Sequence, residues 1–166
     1  IINGEVDNPY SAASQQLVTY LYEYFNSEES ELSFFTTSNL AVPAKRFHHM
    51  GGFDTTFSLP AGEDREFCDR WQSSGYSIRY VHEAVVHHHH CLNFTGFLAQ
   101  HFRYGCGAFQ FHLARGKRGQ NRPRIEPFSF YSGIFRYPFT QEGQLRQKLA
   151  CCLLIVLPDV HHSARY

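Results

Sequence analysis

Short segments rich in β-branched and aromatic residues alternate along this chain with longer segments of helical period. That alternation restricts the architectures open to it. IINGEV, at the start, reads as a short strand ending in a turn. From Ser11 onward Leu17, Tyr20, Leu21 and Tyr24 recur at helical spacing, with Ser11 or Ser14 as the cap. Residues 28–31 are an acidic break, and residues 32–42, LSFFTTSNLAV, read as a buried strand. Pro43 opens a short helix, AKRFHHM, that stops at Gly51 and Gly52. Residues 63–74 read as a helix with Phe67, Arg70, Trp71 and Ser74 along one side and Gly75 just past its end. YSIRYV alternates like a strand, and HEAVVHHHH gives a turn and a second short strand. Asn93 or Thr95 caps a longer helix over residues 97–116. Gly105 and Gly107 inside it cost about 1 kcal/mol each against Ala, which implies close packing. Residues 115–133 read as a basic loop and residues 142–157 as a helix. Strands alternating with helices predict an α/β layer architecture. The strands are too few for a complete doubly wound domain, so part of one is the expected fold.

The composition supports a folded core and narrows the partners. Of 166 residues, 43% are apolar and 16% aromatic, which excludes a disordered chain. Fifteen basic and fifteen acidic side chains cancel, which argues against broad adhesion to nucleic acid. Eleven His would add positive charge below pH ~6.5. The five Cys (Cys68, Cys91, Cys106, Cys151 and Cys152) are odd in number and form no CxxC pair, so reduced thiols and a cytoplasmic setting are expected. No signal peptide is visible, and the Ile1 start is consistent with a cut chain. The longest apolar run, residues 149–157, is nine residues long, against roughly 20 needed to span a bilayer. A buried or interfacial helix fits it better.

The stretch GGFDTTFSLPAGEDREFCDRW, residues 51–71, places Glu63 and Asp64 directly after a small-residue turn. Acids in a first helical turn complement the helix dipole and often cap it. A carboxylate at such a junction can also face a cleft and take a proton from a substrate hydroxyl. Two adjacent acids rarely share one role, and Arg65 or Arg70 could hold the unused one.

Two further features bear on chemistry. In the histidine run, His88 and His90 share one face of a strand and His87 and His89 the other, so at most alternate residues converge on a ligand. A zinc site with Cys91 lacks the usual paired spacing, and a partly exposed strand end is the competing reading. Arg115, Lys117, Arg118, Arg122 and Arg124 make either a solvated basic loop or a contact for anionic headgroups or phosphates. With the 149–157 helix, the second choice puts the chain at a membrane surface. Trp71 and the phenylalanines are most simply core.

The run SNLAVPAKRFHHMGGFDTTFSLPAGEDREFCDRWQSSGYSIRYVHEAVVHHHH, residues 38–90, resembles the second half of a family 2 glycosyltransferase domain of the GT-A fold. It is also similar to the carboxy-terminal domain of galactosyltransferase-type enzymes. The resemblance covers residues 1–114 and rests on the SN motif, GGFD, the ED pair, an Arg on the following helix, a Gly and a strand ending in His. It implies a Rossmann-like partial domain with a helical C-terminal extension, in which residues 115–140 form a basic, aromatic loop and residues 141–166 an apolar helix and tail.

The resemblance also implies roles. Asp64 is the base that deprotonates the acceptor hydroxyl, with Glu63 beside it for acceptor positioning or local structure. Gly51, Gly52, Phe53 and Asp54 lead into the acceptor site, with Asn39 and Arg70 also on the substrate. His88, or His87 one register away, completes a divalent metal site for Mg or Mn or touches the diphosphate. The reaction implied is hexosyl transfer, with inversion, from a nucleotide-diphospho-sugar donor to a carbohydrate or lipid-linked acceptor, at the inner face of the membrane. The D-x-D motif of the nucleotide-binding first half is absent here, so the chain would be an acceptor half that does not turn over alone. A carbohydrate- or nucleotide-binding remnant and a His-rich metal-binding domain are the alternatives.

Overall fold

The computed structural model describes residues 2–3, 8–25, 35–81, 83–88, 91–119 and 127–162, with side chains over 8–25, 35–81, 83–86, 91–119 and 127–155. Helices dominate them. In chain order they are β1 (Ile2–Asn3), α1 (Pro9–Phe25), a 3-10 turn (Thr37–Asn39), α2 (Ala44–His49), α3 (Glu63–Ser73), β2 (His87–His88), α4 (Phe94–Lys117), α5 (Phe128–Thr140) and α6 (Leu145–His162).

The expected α/β, Rossmann-like sheet is not present among the described residues. Among the described residues the sheet consists of β1 paired with β2, two residues each. A strand exists only when a neighbour takes up its backbone hydrogen bonds. Residues 35–42 join no sheet among the described residues. The Phe35 amide is 3.4 Å from Cys68 Sγ, and the following residues close the 3-10 turn. Phe35 is buried, so its apolar character is used without a ladder. Residues 32–34 of that expected strand lie outside the described residues. Residues 76–81 likewise join no sheet among the described residues, and Tyr80 and Val81 are exposed. The expected loop over 115–140 is also corrected, because Arg115 and Lys117 belong to α4 and Phe128–Thr140 is helical.

Local chemistry explains where the helices start and stop. Asn8, not Ser11 or Ser14, caps α1: its Oδ1 accepts from the Ser11 amide at 2.9 Å, and Pro9 occupies the first helical position. Asn93 caps α4, its Oδ1 accepting from the Gly96 amide at 2.8 Å. At the end of α3, Gly75 (φ 83°) turns the chain. Its amide donates to Gln72 O at 2.9 Å, and the Tyr76 amide donates to Trp71 O at 3.2 Å. The Tyr76 and Trp71 rings then pack with centroids 4.7 Å apart, the apolar contact that accompanies this stop.

The chain divides into two compact units. One comprises Ile1–Ile2, Phe25–His88 and Arg103–Pro123, and the other Asn3–Tyr24, His89–Phe102 and Arg124–Tyr166. The first is built on α3. Phe67, 1% exposed, packs against Phe47, Phe53 and Trp71, with ring centroids 5.1 to 5.8 Å apart. The second unit buries Ala13, Phe97 and Cys151, with Tyr10, Leu98 and Leu154 against them. Tyr20 there donates to Phe130 O at 2.8 Å.

Candidate functional site

The start of α3 carries both predicted carboxylates, and its geometry follows from two glycines. Gly62, the residue before the helix, sits at φ 87° and supplies no capping side chain. A Cβ there would lie 2.6 Å from Gly107 O, and one on Gly107 would collide with Ala61 O. The loop into α3 and the middle of α4 therefore touch backbone to backbone, the close packing that Gly107 implied. Without a capping side chain at Gly62, the first-turn amides need another acceptor. Asp64 provides it: its Oδ1 accepts from the Arg65 amide at 2.8 Å.

Asp64 is half-buried, and burial pushes its carboxyl above the ordinary aspartate value of 3.8. The Arg65 and Thr37 backbone amides pull the other way, and the neighbouring Glu63 charge adds to the rise. With the amide of Asp64 itself, three amides occupy only part of a carboxylate's roughly four acceptor positions. The Thr37 amide belongs to the 3-10 turn of the SN motif, so the turn and the ED pair, distant in sequence, meet here. Asn39 continues this line by donating from Nδ2 to Ala84 O at 2.7 Å. Glu63 Oε2 is buried and has no hydrogen-bond partner.

The other predicted residues serve structure around this point. Gly51 and Gly52 both adopt positive φ (81° and 72°) to turn the chain after α2. Phe53 is in the aromatic cluster on Phe67. Asp54 Oδ1 accepts from the Thr56 amide at 2.9 Å and the Thr56 hydroxyl at 2.7 Å, and these bonds hold its carboxyl below the ordinary range. Arg70 binds Glu66 (Nε to Oε1, 3.0 Å) and the Met50 and Gly52 carbonyls, so it ties the glycine turn to α3. Arg65 lies over the rings of Phe25 and Phe111, at 4.8 and 4.5 Å. His88 is in β2, but its side chain lies outside the described residues, as do those of His87, His89 and His90.

The charge centre of this unit is Glu66, which the sequence reading missed. It is 1% exposed and binds both Arg70 and Arg118. Arg118 also binds Asp69, and Arg115 Nε is 3.2 Å from Asp69 Oδ1, an ion pair without hydrogen-bond alignment. Two cations of the expected basic loop are thus spent on α3. Arg122 and Arg124 lie outside the described residues. The Glu66–Arg70 spacing of i, i+4 was the available signal, but the Arg118 contact spans 52 residues and left none.

The family model described as glycosyl transferase family group 2 matches residues 13–158. The chain belongs to that family. Comparison with curated proteins and with solved structures gives no match. The family match runs past residue 114, where the resemblance of the sequence ended, and takes in α5 and most of α6. In this glycosyl transferase chain all five cysteines are free, and burial pushes the Cys68 thiol up to about 11, which makes it a packing group and not a nucleophile. Among the described residues no three His, Cys, Asp or Glu side chains gather to hold a metal ion. The side chain of His88, the expected ligand of Mg or Mn, lies outside those residues.

Proposed function

We propose that this chain supplies the acceptor side of an inverting glycosyl transfer with Asp64 as the general base. One observation carries the reading: in a member of this transferase family, the Asp64 carboxyl is half-buried at a helix start beside the SN turn, and burial raises its proton affinity. A carboxylate with a raised pKa is a stronger base than one in water, and catalytic bases work best when tuned this way.

In the reaction, Asp64 takes the proton of an acceptor hydroxyl as its oxygen attacks the anomeric carbon of a nucleotide-diphospho-sugar. The bond from that carbon to the diphosphate oxygen breaks on the opposite face, which inverts the centre. Glu63 Oε2, buried without a partner, accepts a hydrogen bond from a second hydroxyl of the acceptor and orients it. Arg70 acts as a positioning residue through the Gly52 carbonyl. The chain contains no D-x-D motif, so the donor diphosphate and any cation on it are assigned to other residues. Asp64→Asn in the full-length protein should lower sugar transfer by about a hundredfold or more while donor binding stays near wild type. Turnover at the wild-type rate in that variant would reject Asp64 as the base.

A further inference from the structure

Helix α2 turns its basic side chains outward and meets no carboxylate. Phe47 sets the orientation of this helix, with its ring 5.3 Å from those of Phe53 and Phe67. At about 100° of rotation per residue, Lys45, Arg46, His48 and His49 then fan within about 80° of the direction opposite Phe47. All four are exposed. The Arg46 guanidinium lies over the Tyr76 ring at 4.9 Å. Among the described residues none of the four is in an ion pair. The sequence has no Asp or Glu between Glu31 and Asp54, and the Asp54 carboxylate is turned onto Thr56. The arginines of α3 and the end of α4, in the same unit, differ in this respect. Arg70, Arg115 and Arg118 are all paired with Glu66 or Asp69.

The shape of this surface selects among anions. A small anion needs donors that converge on one point, and side chains fanned round a convex helix diverge. Seating on a bilayer uses apolar side chains next to the cations, and the outward face of α2 carries no large apolar group. Broad adhesion to nucleic acid conflicts with the cancelling charges of the chain. An extended acidic segment fits better. Its alternate carboxylates lie roughly 7 Å apart on one face, close to the roughly 6 Å between side chains four residues apart on a helix, as Lys45 and His49 are. Each imidazole also offers a ring N–H to a carboxylate. We propose that the exposed face of α2 docks an acidic segment of a partner protein, with Lys45 and His49 on alternate carboxylates and Arg46 and His48 to either side. The proposal is independent of the role given to Asp64.

The test is binding of the full chain to fluorescein-labelled poly-L-glutamate, read by fluorescence anisotropy. The probe should bind at low ionic strength and weaken as salt is added. Lys45→Gln with Arg46→Gln should weaken it by about fivefold, the loss expected for two exposed ion pairs, with the circular dichroism of the helices unchanged. Arg146→Gln with Lys148→Gln removes two cations from α6 instead and should leave the affinity as it was. Absence of binding at low salt overturns the proposal, as does wild-type affinity in the Lys45→Gln, Arg46→Gln variant or an equal loss in the α6 variant. Tighter binding of wild type to polyuridylate or to phosphatidylglycerol vesicles than to poly-L-glutamate, lost in the α2 variant, also overturns it and gives the surface to that ligand.

Discussion

Helix α3 buries a carboxylate, while helix α6 leaves leucines in water. On α3, Glu66 is almost fully enclosed and Phe67 and Trp71 pack beside it. On α6, Cys151 and Ile155 are enclosed, yet Leu149 and Leu153, within two residues of them, are exposed. Both arrangements defy the simple rule that charge goes out and hydrocarbon goes in. The reasons differ. Glu66 can be buried because two guanidinium groups replace the water it loses. The leucines of α6 have no such compensation within the described residues. One exception is resolved inside its unit, and the other has no counterpart among the described residues.

The largest effect should come from Glu66→Ala. It leaves Arg70 and Arg118 without their shared carboxylate, and removal of one partner from a buried pair costs about 3 kcal/mol or more. Urea unfolding would read this as a lower midpoint at unchanged slope. A loss near zero would mean that the network contributes nothing to the unit and would remove the contrast with α6.

A smaller effect, of opposite sign, is expected at Asp64. Its folded-state pKa lies above the ordinary value of 3.8, so the folded protein holds that proton more tightly than the unfolded one. The stability this gives is complete below 3.8 and is lost as pH rises through the folded value. At neutral pH the fold therefore carries an ionised carboxyl at a cost. Asp64→Asn keeps an oxygen for the Arg65 amide, so it should raise the urea midpoint at neutral pH and match wild type well below 3.8. A group kept for its chemistry behaves this way. A pure cap does the reverse, and a lower midpoint at neutral pH would assign Asp64 to capping.

The smallest effect belongs to the other side of the comparison. Leu153→Ser removes a side chain that is 70% exposed and should change stability by less than about 0.5 kcal/mol. A large loss in the thermal midpoint would show that the α6 leucines are packed in the folded chain, and would remove the contrast with α3.

What could be read from the sequence was whatever neighbouring residues decide among themselves. The helical period of residues 63–74, the stop at Gly75 and the cap at Asn93 all rest on contacts within a few positions, and the structure has each of them. The tight turn at Gly51 and Gly52 needs positive φ, which glycine adopts without strain. The pairing of strands could not be read that way. Residues 35–42 and 76–81 have the composition of strands, but a strand depends on a partner that composition does not supply. Likewise the GGFD loop and the ED pair were visible as motifs, whereas the directions of their side chains were not. Phe53 went into the aromatic cluster and Asp54 into a turn with Thr56.

Sequence alone thus determined helix α3 with its stop at Gly75, the cap of α4 at Asn93 and the adjacency of Glu63 and Asp64, because local hydrogen bonds and backbone sterics set them. Only the tertiary structure decided that Thr37 reaches Asp64, that Arg118 reaches Glu66 and that Leu153 stays in water. Those outcomes depend on which distant surfaces exclude water from each other, and no short window of residues contains that information.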